Sequence, residues 1–122
     1  MSIKAVLQKR LKSFTYAFNG MRVLFKEEPN AKIHTILAIA ALVTGVLTGL
    51  SEIEWIALII AIGFVIAFEA INTAVENLCD LISPGQNESI KKIKDLAAAA
   101  VLLSAICALL IGLIIFVPKL LE

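Results

Sequence analysis

The chain has 122 residues, 60% of them hydrophobic and 17% charged, with a formal net charge of +1. A soluble domain this small has too little interior to hide so much apolar surface, which excludes an ordinary soluble enzyme and points to lipid as solvent. The near-neutral balance excludes a global basic footprint for nucleic acid, the single histidine excludes a His-rich metal site within one chain, and the length leaves room for one domain over 1–122.

Residues 1–28 predict an amphipathic surface helix. Leu7, Leu11, Phe14, Phe18, Met21 and Phe25 recur at steps of four and three, giving one apolar stripe with Lys9, Arg10, Lys12 and Arg22 mostly off it. Such a helix either lies in the membrane interface or packs on its own protein. Lys4, Lys9, Arg10 and Lys12 interrupt the apolar core that a secretory signal peptide would need.

Pro29 marks a turn into the first membrane helix, expected over 32–50, and residues 33–50 contain no Asp, Glu, Lys or Arg. Gly45 and Gly49 form a GxxxG pair, a signal for close helix packing. A second membrane helix is expected over 54–82, uncharged through 55–68 and continuing past Glu69. Ser83, Pro84, Gly85, Gln86 and Asn87 then make a turn, after which Asn87 or Ser89 caps a short basic helix leading to Lys94 and Asp95. A third membrane helix is expected over 95–118, with no charge in 96–117. About 20 helical residues cross the ~30 Å hydrocarbon core, and none of the three runs alternates like a strand. The predicted fold is therefore all-α, a membrane protein with three transmembrane helices and an N-terminal amphipathic surface helix.

All but one of the 11 Lys and Arg residues precede residue 33 or lie between the second and third spans; Lys119 alone falls on the other side. The positive-inside rule then puts the N-terminus in the cytoplasm. Cys79 and Cys107 match no metal or redox spacing and read as small packing residues.

The second span carries the chemistry. At ~100° per residue, Glu69, Asn72, Thr73, Glu76 and Asp80 share one sector of the helix, while Ala70, Ile71, Val75, Leu78 and Cys79 largely face away. Glu69 and Asp80 are separated by ~16 Å along the axis, so the polar stripe runs from within the bilayer to its cytoplasmic edge. A carboxylate in lipid costs a few kcal/mol, which helix-packing hydrogen bonds or a site must offset. Carboxylates at several heights suit a hard cation such as Mg²⁺, and one left free of metal can act as a general base. Glu28, just before the first span, is a further candidate ligand; Glu27 beside it is expected to be solvated. Lys94 either neutralises phosphate or snorkels at a helix end, and Asp95 is a candidate ligand or a helix-start residue. No phosphate-binding glycine loop is present. Three spans can hardly enclose a site alone, so an oligomer is expected.

The run from Glu69 to Asp80, with E-x-x-N-x-x-x-E-x-x-x-D spacing, followed by Lys94-Asp95 and four alanines, resembles the prokaryotic diacylglycerol kinase family, which includes the undecaprenol kinases. The likeness extends to Asn19, Gly20, Met21, Arg22 and Glu28. It implies an integral-membrane homotrimer of the bacterial cytoplasmic (inner) membrane that transfers the γ-phosphate of ATP to a lipid hydroxyl, at sites shared between protomers. It implies Glu69 as general base and Glu28 and Glu76 as Mg²⁺ ligands. Nucleotide contacts would come from Tyr16, Glu28, Glu76, Asp80, Gly85, Gln86, Asn87, Lys94 and Asp95. Asn72 would support the reacting centre, and Arg22 would lie near the lipid head region. Asn30 and His34, spaced N-x-x-x-H, resemble the undecaprenol branch and extend the lipid-binding set; His34 also reads as a packed or interfacial histidine. The expected product is undecaprenyl phosphate, with phosphatidic acid from diacylglycerol as the alternative. A proton-coupled transporter using Glu69 would not require Glu28, Glu76, Asp80 and Lys94 at the membrane edge. A non-catalytic membrane subunit would carry the buried stripe as a liability.

Overall fold

Each helix starts and stops for a local reason. In a computed structural model, which describes residues 1–85 and 87–122, Ser2 caps α1 (Ile3–Glu27) by accepting from the Ala5 amide at 3.2 Å. Glu28 then has extended backbone and serves as both the C-cap of α1 and the N-cap of α2 (Pro29–Thr48). Its Oε1 accepts from the Asn30 amide at 3.2 Å, and Pro29 occupies the first turn, where its missing N–H is not needed. α2 thus begins before the expected 32. Ser51 and Glu54 form a reciprocal capping box that starts α3 (Glu52–Ile82), ahead of the expected 54.

The short, separate basic helix does not exist among the described residues. Asn87 caps α4 (Glu88–Leu120), its Oδ1 accepting from the Ser89 amide at 2.8 Å and the Ile90 amide at 3.4 Å. Ser89 is inside the helix, and so is Asp95, which starts nothing. No glycine or proline stands between Glu88 and the apolar run, and Lys91 pairs with Asp95 at 2.6 Å along one helix face. The basic stretch is therefore the opening of α4. At α4's far end, Lys119 Nζ lies 3.3 Å from Glu54 Oε1 and ties that end to the start of α3.

α2, α3 and α4 are each long and apolar enough to cross a membrane, and α1 is the amphipathic helix before them. α3 is the central element, packed chiefly on α4 and also on α2 and α1. Its buried positions Leu58, Ala61, Val65, Glu69, Asn72 and Thr73 follow helical steps of three and four, and the stripe turns from apolar to polar at Glu69. Most other large apolar side chains face outward, as expected where lipid replaces water. The α1 residues Leu7, Leu11, Phe14, Phe18 and Met21 are exposed in the single chain, so this stripe does not pack on its own protein.

The glycine pair meets the close-packing expectation at Gly45 and departs from it at Gly49. Gly45 is buried against the α2–α3 turn, where an added Cβ would lie 2.8 Å from Leu50 Cδ1 and 3.0 Å from Trp55 Cη2. Gly49 has left the helix as its C-cap, at φ 76°, a conformation that side-chain-bearing residues rarely adopt. Gly45→Leu should cost about 1–3 kcal/mol through overpacking. Thermal unfolding in detergent measures it; an unchanged midpoint would mean that the Leu50 and Trp55 side chains simply move aside.

Candidate active site

The polar stripe on α3 is graded in exposure. Glu69 is 1% exposed and is the largest fully buried side chain; Asn72 and Thr73 are each 8% exposed. Glu76 is half-buried, and the Asp80 side chain is 63% exposed. Cys79, expected to face away, is also buried, because α4 covers that side of α3 and brings Lys94 close to the thiol. Cys107 is exposed on the outer face of α4 and is not a core residue.

His34, on α2, meets the buried end of the stripe. Its Nε2 lies 3.2 Å from Glu69 Oε1, within ion-pair distance. Glu69 Oε1, Asn72 Oδ1 and Thr73 Oγ1 are buried with no hydrogen-bond partner among the described residues. Buried polar atoms are usually paired, and each orphan costs roughly 1–3 kcal/mol. All three lie within residues 69–73 of α3.

One turn toward the membrane edge, Asn72 Nδ2 donates to Glu76 Oε1 at 3.3 Å. Glu28 and Glu76 both lie near enough to repel a negative charge on Glu69, and His34 attracts it. Glu28 and Glu76 each keep one carboxylate oxygen without a hydrogen bond to the described residues. Among those residues, no three acidic, histidine or cysteine side chains converge into a metal cage. Mg²⁺ rarely uses an all-protein cage; it takes one or two carboxylates, then phosphate and water oxygens. The donor set therefore fits Mg²⁺ arriving with a polyphosphate.

At the exposed end, Lys94 Nζ lies 2.6 Å from Asp80 Oδ1, and Lys91 Nζ lies 2.6 Å from Asp95 Oδ2. These four residues, with Gly85, Asn87 and Glu88, line an open cavity of about 620 Å³ between the ends of α3 and α4. Lys91 and Glu88 were not singled out from the sequence, although Lys91 stands four residues before Asp95, the spacing at which helix neighbours pair. Gln86 lies outside the described residues.

The remaining candidates are not gathered. Tyr16 is 71% exposed and Arg22 is exposed on α1; no hydrogen bond or ion pair joins either to the stripe among the described residues. Asn30 is exposed at the start of α2 and engages Glu28 through its backbone amide. Glu27, expected to be solvated, accepts from Asn77 Nδ2 at 3.2 Å and so ties the end of α1 to α3. An exposed carboxylate at a helix end finds a partner here because α1 lands beside the outer turn of α3.

The profile of the family described as prokaryotic diacylglycerol kinase matches residues 15–116. The chain is 40% identical over 114 residues to an undecaprenol kinase of Bacillus subtilis, covering 93% of each protein. It is 37% identical to a diacylglycerol kinase of Synechocystis, over 92% of this chain and 65% of that one. A diacylglycerol kinase of Haemophilus influenzae is 30% identical, over 80% of this chain and 81% of its own length. Three apolar helices, a carboxylate stripe descending to a polar cavity, and a matching profile over most of the length agree: the chain belongs to the prokaryotic diacylglycerol kinase family and is a membrane lipid kinase.

Proposed function

We propose that the chain phosphorylates undecaprenol, taking the γ-phosphate of ATP and releasing undecaprenyl phosphate and ADP. One observation carries the chemistry: the fully buried Glu69 stands at the inner end of a polar row that leads to an open, charged cavity. Glu69 accepts the proton of the lipid hydroxyl, and the freed oxygen attacks the γ-phosphorus while ADP leaves. Such a transfer depends mainly on positioning and charge stabilisation. Glu28 and Glu76 would hold Mg²⁺, which would supply charge neutralisation for the triphosphate. Lys94 exchanges Asp80 for a phosphate oxygen, and Asp80, Gly85, Asn87 and Asp95 surround the nucleotide. Asn72 keeps Glu76 in place through its 3.3 Å hydrogen bond and shares the reacting centre with Glu69.

The exposed Tyr16 and Arg22 reach a neighbouring protomer's site in a homotrimer, Tyr16 toward nucleotide and Arg22, with Asn30, toward the lipid. The enzyme sits in the bacterial cytoplasmic membrane with its N-terminus and nucleotide cavity on the cytoplasmic side, in line with the distribution of Lys and Arg. Undecaprenol is favoured because the relative that shares 93% of its length at 40% identity is named for that substrate. Diacylglycerol is the second reading, since other relatives are named for it.

The test is a mixed-micelle assay with [γ-³²P]ATP and both lipids in competition. The expected outcome is labelled undecaprenyl phosphate in excess over phosphatidic acid. Preferential labelling of diacylglycerol would transfer the assignment to that lipid, and label in neither would remove the kinase reading.

A further inference from the structure

The contact between α2 and α3 at His34 assigns a role to that residue other than lipid contact. Glu69 is sealed in the protein, yet one of its oxygens has no hydrogen-bond donor. The Nε2 of His34 is 3.2 Å from that same oxygen. The His34 side chain is 23% exposed against 1% for Glu69, so the imidazole covers the carboxylate from the outside. Glu28 and Glu76 bring like charge toward Glu69, and His34 is the basic group set against them.

A carboxylate that takes a proton from an alcohol must present one oxygen to it. Free rotation of a buried carboxylate would scatter that direction. A donor on the other oxygen fixes it, much as a histidine is fixed by a neighbouring group in a catalytic triad.

We propose that His34 is a positioning residue of phosphoryl transfer, donating to Glu69 Oε1 and so turning Glu69 Oε2 toward the lipid hydroxyl. This rests on the reading of Glu69 as the base. The proton of the alcohol passes to Glu69, and the Nε2–H of His34 stays on its nitrogen throughout, so no further reactant is needed.

His34 is the only histidine in the chain, which makes its imidazole nitrogens separately observable by ¹⁵N NMR of histidine-labelled protein in lipid bilayers. Without any substrate, Glu69→Gln should move the Nε2 resonance, while Glu52→Gln at the far end of α3 should leave it in place. A resonance blind to Glu69→Gln would overturn the contact, whatever the enzyme's substrate proves to be. In kinetics, His34→Leu should lower kcat roughly 10- to 100-fold, as misplacement of a reacting group does, with KM for lipid and Mg-ATP little changed. His34→Gln keeps a side-chain N–H donor and should recover most of the loss. An increase in lipid KM with kcat intact, or glutamine no better than leucine, would refute positioning through Glu69. Should wild-type protein phosphorylate no lipid, the kinase assignment fails while the resonance test still decides the contact.

Discussion

Glu69→Gln should abolish phosphoryl transfer while leaving Mg-ATP binding nearly intact. The substitution preserves shape, so the packing of α3 on its neighbours survives. It removes the ability to accept a proton from the lipid alcohol, a contribution worth about 10²- to 10⁴-fold in general base catalysis. The charged cavity proposed for the nucleotide lies farther along α3 and at the start of α4. Turnover measured beside nucleotide affinity separates the two effects. Normal turnover would end the assignment of Glu69 as base; lost nucleotide affinity would mean that Glu69 belongs to the metal site instead.

Glu76→Gln should act on the other half of the reaction. The glutamine carbonyl can still accept from Asn72 Nδ2, so the 3.3 Å hydrogen bond on this face of α3 need not break. What is lost is one anionic oxygen for a hard cation. We expect Mg-ATP affinity at low Mg²⁺ to fall on the order of 100-fold, equivalent to about 3 kcal/mol, with partial recovery as Mg²⁺ is raised. Titration calorimetry at two Mg²⁺ concentrations reads this directly. Affinity that is unchanged at low Mg²⁺ would remove Glu76 from the metal site.

Much of the fold is legible in the sequence because lipid simplifies the rules. An apolar run near 20 residues long can only be a helix, and the stripe of Glu69, Asn72, Thr73, Glu76 and Asp80 follows from helical periodicity alone. The helix starts were harder. Ser51 and Glu54 spell a capping box, but the connection between spans draws attention to charge instead of caps. The basic stretch before Asp95 looks like a separate element because its composition changes, yet nothing in it breaks a helix. Composition sets what surrounds a helix, and caps set where it begins.

The site was legible where its residues share one helix and obscure where they do not. Periodicity groups side chains along α3, but it says nothing of which residue on α2 stands opposite Glu69. His34 could be noticed as the single histidine, not matched to its partner. Likewise Gly45 could be recognised as a close-packing position without knowing that Trp55 and Leu50 of the same chain fill the space. Tyr16 and Arg22 have no partner on α3 among the described residues, which no pattern along one helix could have foretold.

Glu28 ends one helix and begins the next without an intervening residue, and its charge reaches Glu69. Such a joint has no slack. One amino acid inserted there would carry the carboxylate about 1.5 Å along the axis and about 100° around it. The passage over Gly49, Leu50 and Ser51 at the opposite end holds none of the candidate ligands, so added length there leaves the register of reacting groups untouched. Within one small bundle, one joint carries a candidate ligand and the other carries none.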